Sequence, residues 1–108
     1  MRRGDFVTIA LQGDLGKPRP ALVIQSDNFG AHATVTVLLV SSAMVDAPLL
    51  RVTVAADESN GLRKTSQVMV DKAMTVRRDK IGDPIGKATD EVILEVGRCL
   101  AVFLGIVR

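Results

Sequence analysis

The apolar and polar positions of the first two thirds of the chain follow the patterns of β-strands. Three strand-like runs come first, at residues 5–11, 20–26 and 34–41. The second run is nearly all apolar, which is typical of a strand covered on both faces, and the third is rich in Val and Thr. We therefore expect the strand at residues 20–26 to be buried on both sides.

Two later runs alternate between apolar and polar residues. Residues 49–55 and 67–72 place an aliphatic side chain at every second position, so one face of each strand is predicted to be buried. Asn60-Gly61, a common turn pair, lies between them, and we expect the two strands to pair as a long hairpin. Their outward faces then form one surface and a first candidate site, made of Arg51, Thr53, Gln67, Met69 and Asp71.

The C-terminal part changes to a helical period over residues 89–104. Thr89 is the expected N-cap, and Gly105 can end the helix. Gly97 costs about 1 kcal/mol relative to Ala inside a helix, so we expect a close packing contact there. One apolar stripe contains Val92, Val96, Cys99 and Phe103. The pattern predicts a mainly β fold, a small twisted or barrel-like sheet with a C-terminal helix, as one domain over residues 1–108.

Composition narrows the function classes. Aromatic residues make up only 3% of the 108 residues, with no Trp and no Tyr, which disfavours the aromatic stacking platforms of many single-strand binders. The net charge is +2, but residues 51–80 carry seven Lys/Arg against four Asp/Glu. This local excess permits contact with an anionic partner, although most such clusters are solvated surface.

The single cysteine, Cys99, excludes an intrachain disulfide and favours a reducing compartment. No apolar run is long enough to span a bilayer, and the opening MRRGDF lacks the apolar core of a signal peptide. We therefore expect a soluble, cytoplasmic protein without membrane partners.

Several familiar kinds of catalytic site are absent from the sequence. It has one His, no Gly-rich phosphate loop and no G-x-S-x-G motif, and its carboxylates are scattered. Any catalysis must therefore come from Arg, Ser/Thr and Asp side chains, and we expect no metal and no cofactor.

Arg19 stands between Pro18 and Pro20, directly before a buried strand. Proline fixes its own φ and restricts the residue before it, so the Arg19 backbone has little freedom left. A guanidinium fixed in this way can clamp a phosphate and stabilise the charge that develops in a transition state. Alternatively, the prolines only shape the loop and Arg19 is a surface cation.

Two further positions have both structural and chemical interpretations. Ser41 and Ser42 end the third strand, where hydroxyls commonly form a turn but can also donate to a phosphoryl oxygen. Asp71 is either paired with a neighbour such as Arg51 or acts as a general base.

In combination these stretches resemble the MazF/PemK toxin family of bacterial toxin–antitoxin systems. The similarity lies in RRGDFVTIAL, KPRPALVIQSD, TVLLVSS, NGLRKTSQVMVD and IGKATDEVILEVGRCLAVFLGI, in this order over nearly the whole chain. The resemblance implies a small SH3-like β-barrel, a homodimer, and a metal-independent, sequence-selective endoribonuclease. In such enzymes the RNA 2′-hydroxyl attacks the adjacent phosphorus, which leaves a 2′,3′-cyclic phosphate and a 5′-hydroxyl. A cognate antitoxin of the MazE/PemI type blocks the groove.

The resemblance also assigns roles to positions of this chain. Arg19 matches the arginine to which a catalytic role is given, Ser41 matches a Ser/Thr at a strand end, and Asp71 matches an acidic residue of the plasmid-borne branch. Either Ser41 or Asp71 then works opposite Arg19, and we favour Ser41. The expected contacts to single-stranded mRNA are Lys17, Ser42, Arg51, Thr53, Thr65, Ser66, Gln67 and Met69.

A toxin of the same fold that binds gyrase, like the CcdB-type poisons, is the alternative function. Such a protein needs no catalytic arginine and is expected to use the end of its C-terminal helix. The tail at residues 105–108, GIVR, lacks the aromatic tip expected there, and the Pro-Arg-Pro segment followed by Ser41 favours the nuclease.

Overall fold

The computed structural model describes residues 1–10 and 17–108, which form a mainly β fold with one C-terminal helix. Six strands make one antiparallel sheet in the order β4-β5-β3-β2-β1-β6. The elements are β1 (Asp5–Ala10), β2 (Pro18–Val23), β3 (Thr34–Ser41), β4 (Arg51–Val54), β5 (Ser66–Arg77), β6 (Gly86–Lys87) and α1 (Asp90–Phe103), with short 3₁₀ turns at Asp27–Phe29 and Arg78–Lys80.

The central strands β1, β2 and β3 are buried on both faces, as the apolar run predicts for β2. Alternate residues enter two separate cores: Leu22 and Leu38 pack in the core that also holds Val96 of α1, whereas Ala21 and Val37 pack in a core on the other face. Burial of both faces explains why β2 reads as a nearly continuous apolar run, and it also fixes the register of the three strands, since a slip by one residue would exchange the two cores.

Strand β5 is much longer than the alternation predicts, since it continues to Arg77 rather than ending at Lys72. Its first part pairs with β4 on one side, and the whole strand follows β3 on the other. The β3–β5 register shifts between Leu38 and Val40, an irregularity at which β5 carries extra residues relative to β3. Val68 and Val70 therefore pack in the helix-side core, whereas Met74 packs against the other core. The predicted β4–β5 pairing is confirmed.

Helix α1 begins and ends where the sequence predicts. The Thr89 hydroxyl caps the first turn by accepting the Val92 N–H at 3.2 Å. At the other end, Gly105 has φ of +76° and donates to Val102, while Ile106 donates to Ala101, the hydrogen bonds of a Schellman motif.

The apolar face of the helix is only partly buried, and the expectation of a close packing contact at Gly97 is wrong. Val96 and Cys99 are buried, but Phe103 remains 48% exposed. Among the described residues, a Cβ built on Gly97 would meet only the tip of Arg3, at 3.9 Å, so they do not make the close packing contact expected at this glycine. Among the residues that the structure describes, no helix is long and apolar enough to cross a membrane.

Cys99 lies beneath the loop that joins β3 to β4. Its sulfur is 3.9 Å from the Pro48 carbonyl oxygen and 3.6 Å from a Glu95 carboxylate oxygen. Burial, and then the nearby Glu95 charge, raise the pKa of the Cys99 thiol. Cys99 is therefore a packing residue with little thiolate character.

Candidate active site

The Pro18-Arg19-Pro20 segment lies where the pairing of β2 with β3 stops. The β2–β3 pairs run from Val23 opposite Val37 to Ala21 opposite Leu39. In the same register, the next positions would place Arg19 opposite Ser41. Proline has no N–H to donate, so prolines on both sides of Arg19 disfavour further pairing on this side, while β2 stays paired with β1 through Pro18.

A groove of about 720 Å³ opens at this divergence, and we call it the Arg19 groove. Among the described residues, its lining contains four cations, Lys17, Arg19, Arg63 and Lys64, and neither a carboxylate nor an imidazole. The other lining residues are Thr8, Pro18, Pro20, Val40, Ser41, Ser42, Gly61, Leu62, Ser66 and Ile85. Several cations over an apolar floor favour an anionic ligand.

Two serine hydroxyls of the groove are already oriented by hydrogen bonds. The Ser41 hydroxyl oxygen accepts the Ala43 N–H at 3.1 Å, which leaves its hydrogen available to donate. The Ser66 hydroxyl donates to the Lys64 carbonyl at 2.8 Å, so its oxygen can only accept from a ligand. Ser41 therefore ends its strand in a turn and also lines the groove, whereas its donation to a phosphoryl oxygen stays a prediction.

One wall of the groove is held by a hydrogen-bonded loop around Asn60. The buried Asn60 side chain accepts the N–H groups of Asp57 and Leu62 and donates to the Ala55 carbonyl. The Asp57 carboxylate in turn accepts the Ser59 hydroxyl at 2.7 Å and the Asn60 N–H at 2.8 Å. These hydrogen bonds, with that from Ser59 the largest effect, hold the pKa of Asp57 below its ordinary value of 3.8.

This loop is in tight contact with the backbone at β6. A Cβ on Gly61, whose φ is +71°, would lie 2.0 Å from the Ile85 carbonyl oxygen, and a Cβ on Gly86 would lie 2.2 Å from the Asn60 carbonyl carbon. Glycine is therefore required at both positions, and their contact fixes the wall that carries Leu62.

A second concavity, of about 370 Å³, lies beside β4 and is called the Arg51 pocket. Its lining consists of Val45, Asp46, Ala47, Pro48, Arg51, Val52, Thr53, Gln67 and Glu95. Arg51 forms an ion pair with Asp71, in which the side chains are 14% and 21% exposed, and also donates to the Leu50 carbonyl at 3.1 Å. This is the ion pair that the sequence offers as the structural interpretation of Asp71.

The structure distributes the predicted site residues over these two places. Lys17, Arg19, Ser41, Ser42 and Ser66 line the Arg19 groove, whereas Arg51, Thr53 and Gln67 line the Arg51 pocket. Met69 opposes Arg51 in the β4–β5 register, and Thr65 is exposed but lines neither. The hairpin surface expected from alternation is thus separate from Arg19.

Arg63 and Lys64 line the groove, but the sequence did not identify either of them as a candidate site residue. The local excess of Lys and Arg in residues 51–80 pointed to a cationic surface there. Nothing in the sequence around Asn60 shows that the loop after it turns back towards Arg19. The described residues also contain no group of three or more His, Cys, Asp or Glu side chains that could hold a metal ion.

The family model for the PemK-like, MazF-like toxin of type II toxin–antitoxin systems matches residues 2–104. The chain belongs to this family. It is also 43% identical, over 107 residues and 98% of both chains, to a probable endoribonuclease MazF of Mycolicibacterium smegmatis.

Solved structures of this family share the fold. A mycobacterial endoribonuclease in complex with its cognate antitoxin superposes with a TM-score of 0.82 at 23% identity, covering 100% of this chain and 98% of that one. A MazE–MazF crystal structure from Deinococcus radiodurans gives a TM-score of 0.80 at 25% identity, covering 97% and 95%. The MazF/PemK resemblance and the expected mainly β fold with a C-terminal helix are confirmed.

Proposed function

We propose that this MazF/PemK-family toxin is a metal-independent endoribonuclease that cleaves single-stranded mRNA in the Arg19 groove. The observation that carries the proposal is the groove itself, where Arg19 lies across the β2–β3 divergence from Ser41 among three further cations. The related probable endoribonuclease MazF, 43% identical over nearly the whole chain, supports the reaction class.

The chemistry that fits these groups is transfer of a phosphoryl group within the RNA. The 2′-oxygen forms a bond to the adjacent phosphorus, the bond from phosphorus to the 5′-oxygen breaks, and a 2′,3′-cyclic phosphate and a 5′-hydroxyl result. The proton of the 2′-hydroxyl passes to solvent water as the new bond forms, and the departing 5′-oxygen takes up a proton from solvent water. Arg19 stabilises the extra negative charge on the phosphorane oxygens.

Ser41 is the group that we place opposite Arg19. Its hydroxyl hydrogen can donate to a non-bridging phosphoryl oxygen, while the Ala43 N–H fixes its oxygen. Asp71 lies outside the groove lining and is paired with Arg51, so a structural role suits it better than that of the base. Lys17, Arg63 and Lys64 then neutralise flanking phosphates, and Ser42 and Ser66 contact the strand.

The partners and location follow from this activity. The substrate places the toxin in the cytoplasm, and a MazE/PemI-like antitoxin that covers the Arg19 groove would neutralise it. Complexes of toxin with antitoxin among the structural relatives support this partner. We expect a homodimer, and light scattering at micromolar concentration tests it, since a monomer would contradict that expectation.

The decisive experiment measures cleavage of a mixed-sequence RNA in EDTA by the wild type and by Arg19→Ala. We expect a fall in rate of at least about 10²-fold for Arg19→Ala with the fold retained, because charge stabilisation is lost from a fixed position. Arg77→Ala is the matched control, since Arg77 is exposed, pairs with Asp79 and lines neither concavity. It should cleave like the wild type.

The outcomes separate the alternatives. Fragments that end in 2′,3′-cyclic phosphate and 5′-hydroxyl groups support the proposed reaction. Intact RNA together with inhibited DNA supercoiling by gyrase would overturn the nuclease in favour of the CcdB-like alternative. Equal cleavage by Arg19→Ala would overturn only the role given to Arg19.

A further inference from the structure

The loop between β3 and β4, residues 42–50, carries Ser42 into the Arg19 groove and begins directly after Ser41. Its other end packs against the helix, where Pro48 lies beside Cys99. The position of the two serines therefore depends on how this loop is held.

A single buried side chain holds the middle of the loop. Gln67 is only 5% exposed, and its amide oxygen accepts the Val45 N–H at 3.0 Å. Its amide nitrogen donates to the Val45 carbonyl at 3.1 Å and to the Thr53 hydroxyl at 3.3 Å. The side chain thus takes the place of a peptide group from a neighbouring strand and satisfies both polar backbone groups of Val45.

Gln67 also occupies the register position next to the proposed catalytic serine. It pairs with Ser41 on β3 and with Thr53 on β4, so one row across the sheet contains all three residues. The Gln67 amide fixes the chain at Val45, and the Ala43 N–H fixes the Ser41 hydroxyl two residues earlier. Within the structure, the polar atoms of Gln67 are directed to protein groups and not into the Arg19 groove.

We propose that Gln67 is a positioning residue of the ribonuclease site, whose amide sets the location of Ser41 and Ser42 by clamping Val45. The inference rests on the proposed function and gives Gln67 a role different from the RNA contact expected from the sequence. A misplacement of about 1 Å in a catalytic group can lower a rate about 10²-fold, so the clamp should act on the chemical step.

The test is the steady-state kinetics of Gln67→Leu, which removes the amide and keeps an apolar side chain of similar size. We expect kcat to fall about 10- to 100-fold while KM changes less than about threefold. In a Ser41→Ala background the same substitution should cause little further loss, because the residue it positions is already gone.

Gln25→Leu is the matched control. Gln25 clamps backbone in the same way, accepting the Thr36 N–H at 3.0 Å and donating to the Phe29 and Thr34 carbonyls, but it lines neither the groove nor the Arg51 pocket. It should lower the melting temperature and leave kcat of the folded enzyme unchanged. Where Gln67→Leu fails to fold, Gln67→Glu replaces it, because a carboxylate still accepts from Val45 but cannot donate to its carbonyl.

Three results would overturn the proposal: a rise in KM alone, which indicates direct RNA binding, full additivity with Ser41→Ala, or the same loss of kcat in Gln25→Leu. Amide hydrogen exchange reports the clamp directly: the Val45 amide should be protected in the wild type and should exchange faster in Gln67→Leu, which has no acceptor for it. A wild type that cleaves no RNA contradicts the proposed function, whereas an unprotected Val45 amide contradicts the clamp.

Discussion

The Arg19 groove and the Arg51 pocket contain similar residue types but differ in what surrounds the arginine. Arg51 belongs to β4, is paired with Asp71 of the neighbouring β5, and shares its pocket with the carboxylates of Asp46 and Glu95. The described lining of the Arg19 groove adds cations and hydroxyls and contains no acid. The ion pair of Arg51 with Asp71 joins two strands of the sheet, whereas four cations along the described lining of one groove suit an anionic ligand such as a phosphate.

The strongest test of this difference is to substitute one candidate catalytic residue from each region and measure RNA cleavage. Ser41→Ala should lower kcat about 10²-fold, because a donor to the developing charge is lost. Asp71→Asn should keep kcat within about threefold and instead lower the free energy of unfolding by about 1–3 kcal/mol, between the values for exposed and buried pairs. Single-turnover cleavage and urea denaturation of both variants give these quantities.

The control for this pair is Arg51→Met, which removes the same ion pair from its other side. A stability loss similar to that of Asp71→Asn, with cleavage retained, would support the structural role of the pair. Abolished cleavage in correctly folded Asp71→Asn would make Asp71 catalytic and remove the distinction between the two regions.

The wall of the Arg19 groove can be disrupted by a substitution that leaves all four of its cationic residues in place. In Gly86→Ala the new methyl group would lie 2.2 Å from the Asn60 carbonyl carbon, so the backbone must move. We expect a loss of about 1–3 kcal/mol in unfolding free energy and a lower rate of RNA cleavage, measured by denaturation and by the RNA assay.

Gly97→Ala is the matched control for that steric effect. Its methyl group would have only the Arg3 side chain nearby, at 3.9 Å, and alanine favours the helix by about 1 kcal/mol. The helix variant should therefore be as stable as the wild type or more so. A stable, fully active Gly86→Ala would show that the close approach of residues 60–61 and 85–86 does not shape the groove.

The smallest expected effect concerns the charge of Asp57 in that wall. Because its hydrogen bonds lower the pKa of Asp57 in the folded state below 3.8, the carboxylate stabilises the fold above about pH 4. This stabilisation is lost as the pH falls through the folded-state pKa. Thermal melts between pH 2 and 7, roughly the range of that linkage, should show a smaller decline towards acid for Asp57→Asn.

Ser59→Ala tests the cause of this pH dependence, since the hydrogen bond from the Ser59 hydroxyl is the largest cause of the lowered pKa of Asp57. It should reduce the acid dependence in the same direction. Parallel curves for the wild type and both variants would show that Asp57 is not linked to folding.

Much of the fold was predictable because its signals are local. The Val/Thr run gives β3 with its observed bounds, and Thr89 and Gly105 cap the helix as expected. The length of β5 was missed because its alternation breaks at Lys72, where the strand leaves one core and joins the other. The strand predicted at residues 5–11 is seen through Ala10, and Leu11, like most of the short loop at residues 12–18, lies outside the described residues.

The site was less predictable because it depends on which segments meet. The two prolines drew attention to Arg19 in the sequence. Only the β2–β3 register shows that the pairing of these strands ends there, on the side where Ser41 lies opposite Arg19. The alternation of apolar and polar residues in β5 placed Gln67 on the opposite face of the strand from Val68. It could not show that the Val45 backbone covers Gln67 on that face. Burial of a polar residue by a distant loop leaves no local pattern.

The buried Cys99 has a practical consequence for studying the groove. It is the only cysteine of the chain, and its buried thiol reacts poorly with alkylating reagents. A cysteine introduced at the exposed Ser42 would therefore be labelled selectively. A fluorophore there would report the entry of RNA or antitoxin into the Arg19 groove, without the need to remove the native thiol from the core.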